Sequence, residues 1–171
     1  RHVRAMVAPQ RAPELHRDYD LDVGKTQIFV APEGKLEVIT SSAATAEGAE
    51  VTCVIGDELE HWTPSNSGVE LHNTLVDNLT KSGSRFIGTL NAWKPGIGSV
   101  GESVFDDWVA QESGMAKAKT RILYDARIAP PDTDLADEAS LRAGLEFVYE
   151  DAPWADIEAM ISRIWKTSSK V

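Results

Sequence analysis

Two short apolar runs constrain this chain more than any other feature: VTCVI at residues 51–55 and RFIGTL at residues 85–90. Each is nearly continuous instead of alternating apolar with polar, the pattern of a strand covered on both faces in a parallel sheet. Between them, GVELHNTLVDNLTK at residues 68–81 places Val69, Leu71, Leu75, Val76 and Leu79 largely at helical spacing. Strand, helix, strand in that order is the crossover unit of an α/β sheet. With 171 residues and 42% hydrophobic content, the chain can bury one core. Cys53, the one cysteine, lies inside the first run and is expected to be a small buried residue.

Further signals flank this unit. QIFVA, residues 27–31, and KLEVITSS, residues 35–42, surround the turn residues Pro32, Glu33 and Gly34 and are expected to form a hairpin. In the opening segment, Pro9 and Pro13 break any long helix. VGESVFDDWVAQESG, residues 100–114, reads as a helix because Val104, Trp108 and Val109 can share a face. KTRILYDARI, residues 119–128, reads as a strand, and the double proline Pro130–Pro131 precedes a helix over residues 135–149. PWADIEAMISRIWKTSS, residues 153–169, reads as a last helix, with Ile157, Met160, Ile161, Ile164 and Trp165 on one side. The expectation is an α/β core with a mainly parallel sheet over residues 1–127 and a helical subdomain over residues 128–171.

The formal charge of −10 repels phosphate backbones and argues against a free-standing nucleic-acid binder, while leaving room for a local basic patch. A single cysteine excludes an intrachain disulfide framework and suits a reducing compartment. No apolar run approaches the roughly 20 residues that span a bilayer, and no secretory pattern opens the chain, so a soluble, intracellular protein is expected.

Ligands of open α/β sheets bind beyond the carboxyl ends of the strands. Asp57 and Glu58 follow the first run, and Thr89 and Asn91 end the second. Two strand tips thus offer a carboxylate pair and a hydroxyl-amide pair to one crevice. Adjacent carboxylates repel each other, and a divalent cation offsets that repulsion. One carboxylate would help hold Mg²⁺ through water while the other orients a nucleophilic water. The plainer account is that the two acids begin a solvated loop.

An apolar strand ending in Asp-Glu resembles the Walker B element of P-loop ATPases followed by a catalytic glutamate. The wider pattern, VITSSAATAEGAEVTCVIGDELEHWTPSNSG followed by RFIGTLNAWKPGIGSV, resembles the large terminase subunit of tailed bacteriophages. RIAPPDTDLADEASLRAGLEFVYEDAPW also resembles the segment that follows the ATPase core in that family. The resemblance implies part of a RecA-like P-loop ATPase core, with ATP and Mg²⁺ as cofactors, in a motor that drives viral DNA into a preformed capsid. It implies double-stranded viral DNA, the portal protein and the small terminase subunit as partners. The motor would be a homo-oligomeric ring docked on the procapsid portal in the host cytoplasm, with no membrane. Carried over, Asp57 positions hydrated Mg²⁺, Glu58 is the general base, and Thr89 and Asn91 form the coupling motif that senses the γ-phosphate.

The chain departs from the family pattern in several places. The phosphate loop G-x-x-x-x-G-K-S/T is absent. Gly24, Lys25 and Thr26 supply GKT without the upstream glycine, a strand signal follows, and the segment reads as the approach to a hairpin. The true phosphate loop is expected before Arg1, and the family's nuclease domain beyond Val171. AATAEG, residues 43–48, lacks the basic residue some relatives carry, leaving Arg1, Arg4, Arg11 and Arg85 as candidates for an arginine that stabilises transition-state charge. Gly56 stands where the family usually has another apolar residue.

Other polar and aromatic residues have structural readings. Asp132, Asp134, Asp137 and Glu138 complement a helix dipole, with Asp134 as a plausible N-cap, better than they make a metal site. His61 is expected to order the loop after the carboxylates, and Trp62 and Trp93 to be covered by loops. Two alternatives stand beside the motor. DELEH is similar to the Asp-Glu-x-His box of superfamily-2 helicases, but His61 comes one residue late. A non-catalytic assembly or binding domain of degenerate ATPase fold would also lack the phosphate loop.

Overall fold

VTCVI and RFIGTL do pair in parallel, in a computed structural model that describes residues 2–39, 46, 51–118 and 120–168. The chain divides into two compact units, Arg1–Lys117 and Ala118–Val171. It is a mixed α/β protein with one parallel pair of strands and one antiparallel sheet among the described residues.

In the first unit, helices α1 (His2–Met6) and α2 (Pro13–Tyr19) come first, with Pro13 in the first turn of α2 where its missing N–H is not needed. Strands β1 (Leu21–Val23), β2 (Gln27–Val30) and β3 (Gly34–Glu37) then form an antiparallel sheet in that order. The expectation of a mainly parallel sheet fails here. Connections as short as residues 24–26 and 31–33 can join only antiparallel neighbours, so these strands build their own sheet. Gly24, Lys25 and Thr26 lie in the β1–β2 hairpin turn, as expected of a hairpin approach. Thr40, Ser41 and Ser42 at the end of KLEVITSS and most of AATAEG lie outside the described residues.

The parallel pair is β4 (Cys53–Gly56) and β5 (Arg85–Gly88), joined by α3 (Gly68–Ser82). Leu71, Leu75, Asn78 and Leu79 form the buried stripe of α3, at the expected helical spacing. They pack with Val54 and Ala46, and Trp62 and Phe86 close the edge of this core. Gly83 ends the helix in the left-handed conformation, donating its N–H to the carbonyl of Leu79.

Only one face of β4 is covered, which corrects the two-face reading. Val54 and Gly56 are buried under α3 and its flanking turn, whereas Cys53 and Ile55 on the opposite face are exposed, as is Ile87 on β5. No described element packs against that second face, so Cys53 is accessible and not a core residue.

Gly56 and Gly88 stand opposite each other at the last paired position of the two strands. A Cβ on Gly56 would lie 2.7 Å from Phe86 Cζ and 2.9 Å from Leu59 Cδ2, and one on Gly88 would lie 2.4 Å from Leu59 Cδ1. Leu59 is 2% exposed and fills the space that the two missing side chains leave. The glycine at position 56 thus has a packing reason.

Helix α4 (Val100–Glu112) starts on the fully buried Ser99, whose hydroxyl accepts the Glu102 N–H at 3.2 Å. The rings of Trp93 and Phe105 meet tilted with centroids 5.0 Å apart, and Phe105 meets Trp108 at 5.8 Å.

In the second unit, α5 (Glu138–Val148) and α6 (Ile157–Ser168) bury Leu141 and Ile161. Arg142 on α5 ties Glu138 and Glu158 together across the helices. Asp137, not Asp134, is the N-cap of α5, accepting from Ser140 N at 2.8 Å, while Asp134 accepts from Ala136 N in the preceding turn. The strand expected over residues 119–128 does not form among its described residues, and Leu123 is 95% exposed.

The glycine pair gives a direct test. Gly56→Ala and Gly88→Ala should each destabilise the protein by about 1–3 kcal/mol through overpacking. Combining either with Leu59→Ala should make the effects non-additive in a double-mutant cycle read by denaturant unfolding. Additive losses would show that Leu59 does not occupy the space over the glycines.

Candidate functional site

The carboxyl end of the parallel pair is a knot of short-range bonds. Thr89 N donates to Gly56 O at 2.9 Å, and Leu59 N donates to Thr89 O at 3.0 Å, so the backbone pairing runs past the last residue of each strand. Glu58 lies between these bonds with φ 55° and ψ 51°, a left-handed conformation that costs a non-glycine residue roughly 1–2 kcal/mol. That kink lets Leu59 turn back over Gly56 and Gly88 while Asp57 stays beside β5. A 3₁₀ turn, Leu59–His61, follows.

Asp57 and Thr89 meet. The Thr89 hydroxyl donates to Asp57 Oδ1 at 2.5 Å, joining the tips of β4 and β5 by side chains as well as backbone. Both residues are exposed, and Asp57 keeps its second carboxylate oxygen clear of this bond. Glu58 is exposed next to it. The Trp62 indole donates to the Asp57 carbonyl at 3.0 Å, so this tryptophan serves as a loop strut.

Asn91 does not join Asp57 and Thr89. Its Nδ2 donates to Glu60 Oε1 at 3.0 Å. Glu60 was not singled out by the sequence, yet it is 5% exposed, and its second oxygen, Oε2, is buried with no hydrogen-bond partner. Burial alone would raise the pKa of this carboxyl. The Asn91 side-chain bond, backbone N–H groups of Glu60 and Asn91, and nearby His61 outweigh it and hold the value below the usual 4.5. Burial is the largest single influence on this carboxyl, and it is outweighed only by the several favourable interactions together. The one signal in the sequence was its position two residues beyond Glu58, next to the apolar Leu59.

The loop after Asn91 is held at its other end by α4. Glu102 accepts from Gly96 N at 2.6 Å and Gly98 N at 2.9 Å. The first turn of α4 lies against Glu60 closely enough that a Cβ on Gly101 would sit 3.2 Å from the Glu60 nitrogen. On the other side, Asn66 orders the path into α3, accepting from Thr63 N and Gly68 N and donating to the His61 carbonyl. The His61 side chain itself is exposed.

Asp57 with a free oxygen, a neighbouring exposed Glu58 and a hydroxyl on the adjacent strand suit a hydrated Mg²⁺, which is held by one or two carboxylates together with substrate phosphates. They do not make a self-sufficient cage, and no group of three or more metal-ligating side chains gathers among the described residues. Of the arginine candidates, Arg85 pairs with Cys53 at the amino end of the strands, away from the tips. Arg4 is in α1 and Arg11 in the turn before α2, while Arg1 lies outside the described residues. Asp134, Asp137 and Glu138 are occupied in capping and ion-pairing α5.

Comparison with known proteins turned up two phage proteins. The chain is 31% identical to the Gene 13 protein of Mycobacterium phage D29 over 178 aligned positions, covering 92% of this chain and 30% of that protein. It is 30% identical to the Gene 13 protein of Mycobacterium phage L5 over the same length and coverage. The chain therefore spans about three-tenths of the length of these relatives. No family model matches it, and no solved structure matches it. No helix among the described residues is long and apolar enough to cross a membrane.

The depressed pKa of Glu60 has a sign that can be measured. A carboxyl whose folded pKa lies below its unfolded value contributes stability that is present above the unfolded value and is lost as pH falls through the folded one. Unfolding free energy should therefore fall as pH drops below about 4.5, and Glu60→Gln should flatten that part of the profile. An unchanged slope in Glu60→Gln would assign the acid sensitivity to other carboxylates.

Proposed function

We propose that this chain belongs to the ATPase portion of a phage DNA-packaging motor of the large-terminase kind, with β4, α3 and β5 forming part of a RecA-like core. The observation that carries this reading is the Asp57–Thr89 bond, which joins a carboxylate at one parallel strand tip to a hydroxyl at the next. That is the end of an α/β sheet where ligands bind. The phage origin of the two relatives agrees with it, although their names state no activity.

In this reading, Asp57 holds hydrated Mg²⁺ through its free oxygen, and the Thr89 bond keeps the carboxylate from rotating away. Bound with ATP, the metal supplies charge neutralisation at the phosphoryl group being transferred. Glu58 accepts a hydrogen bond from water and orients it for attack. Its left-handed backbone separates it from Asp57, so the two acids can serve different atoms. Because Thr89 is bonded to Asp57 and lies directly beyond β5, a shift at the nucleotide reaches that strand without an intermediary. Asn91 completes the coupling segment.

The phosphate-cradling amides and lysine are not among these 171 residues, so the chain alone should not turn over ATP. The intact motor would act on double-stranded viral DNA, with the portal protein and the small terminase subunit as partners. It would be a ring docked on the procapsid portal in the host cytoplasm, and the nuclease activity would lie elsewhere in the longer protein.

The test is ATP hydrolysis by the full-length protein. Glu58→Gln should retain nucleotide binding and lose turnover by about 10²–10⁴-fold, the usual contribution of a positioned general base. Unchanged turnover would remove Glu58 from this role. A wild-type protein that neither binds nor hydrolyses ATP would leave a non-catalytic assembly domain as the reading.

A further inference from the structure

Glu60 and Asn91 form a second link between the two strand tips, beside Asp57 and Thr89 but built differently. The Asp57–Thr89 pair is exposed, whereas the Glu60 carboxylate is covered by neighbouring residues. A carboxylate can only accept hydrogen bonds, so its contact at 3.0 Å selects one orientation of the Asn91 side chain, with the amide nitrogen toward Glu60. Burying a carboxylate with one oxygen unpaired is unfavourable and is tolerated only where the surrounding structure imposes it. That imposition is visible. The first turn of α4 presses on the Glu60 backbone where Gly101 leaves room. The loop after Asn91 is anchored on Glu102 through Gly96 and Gly98. An apolar residue in the same turn would avoid the orphaned oxygen but could not accept from the Asn91 amide, so what the carboxylate distinctively supplies is its bond to Asn91.

We propose that Glu60 is a positioning residue. Through its half-buried hydrogen bond it holds the Asn91 amide in one orientation at the strand tip, so that Asn91 meets the reacting end of a nucleoside triphosphate already oriented. This rests on the ATPase reading above. Glu60 touches neither nucleotide nor water and acts only through Asn91. Its effect belongs to the chemical step rather than to ground-state binding, because the orientation of a contact made at the reacting end matters most in the transition state. The α4 contact on Glu60 also makes this turn the place where a movement of α4 would reach Asn91.

The experiment is steady-state ATP hydrolysis and nucleotide binding by the full-length protein carrying Glu60→Ala, Glu60→Gln, Asn91→Ala and the Glu60→Ala/Asn91→Ala pair. Glu60→Ala should lower kcat by about 10- to 100-fold, the range seen when a supporting partner of a site residue is removed, with KM for ATP within about twofold. Glu60→Gln should keep most of the activity, because its amide oxygen can still accept from Asn91. In the Asn91→Ala background, removing Glu60 should have no further effect on kcat. An unchanged kcat in folded Glu60→Ala would overturn the proposal, as would full, independent losses in the double variant. Should Glu60→Ala fail to fold, the Glu60→Gln and Asn91→Ala variants decide. Loss of activity in Glu60→Gln equal to that in Asn91→Ala, accompanied by a matching fall in melting temperature, would make Glu60 a structural residue only. Absence of ATP turnover in the wild-type protein would instead overturn the ATPase reading, so the two failures are distinguishable.

Discussion

Gly56 and Gly88 face each other at the last paired position of β4 and β5, and Leu59 fills the gap they leave. Much else at this end of the molecule follows from that contact. For Leu59 to reach back over the glycines, the chain must reverse within two residues of the strand end. The reversal occurs at Glu58, in a left-handed backbone conformation held by the Leu59–Thr89 backbone bond. Asp57 is left beside Thr89, and Glu60 is carried inward to Asn91. A side chain on either glycine would push Leu59 out and loosen both side-chain links at once.

The same geometry gives three neighbouring carboxylates three environments. Asp57 is exposed and bonded to a hydroxyl, Glu58 is exposed on a strained backbone, and Glu60 is buried against an amide. Carboxylates that lie within four residues of one another are thereby given different surroundings by position. The helix that follows reinforces the arrangement, since Glu102 on α4 gathers two amides of the intervening loop and Gly101 admits the close approach to Glu60.

The helices were the most legible part of the chain because their apolar period survives in isolation. Leu71, Leu75 and Leu79 mark the buried face of α3 before any partner is known. Strands were less legible because they depend on neighbours. VTCVI and RFIGTL found each other, but Cys53 and Ile55 proved exposed, since apolar character alone does not say which element covers a face. KTRILYDARI carries a strand-like pattern and finds no ladder among the described residues. The β2–β3 hairpin was legible from its short connection, whereas the three-residue β1 gave no strand signal, so the three-stranded antiparallel sheet was not.

At the candidate site, Asp57, Glu58, Thr89 and Asn91 could be named from sequence because ligand chemistry concentrates at strand ends and strand ends are visible as changes in hydropathy. What sequence could not supply was their pairing. Whether Thr89 meets Asp57 depends on the register of two strands separated by a helix, and a shift of one residue would turn each side chain to the other face. Glu60 was hidden for the same reason, since its burial is set by α4 and Asn91, which lie 31 or more residues away along the chain. The sequence by itself determined which residue types stand at the two tips. Only the tertiary structure decided which of them touch, because long-range register and the packing of a distant helix are not encoded in any local pattern.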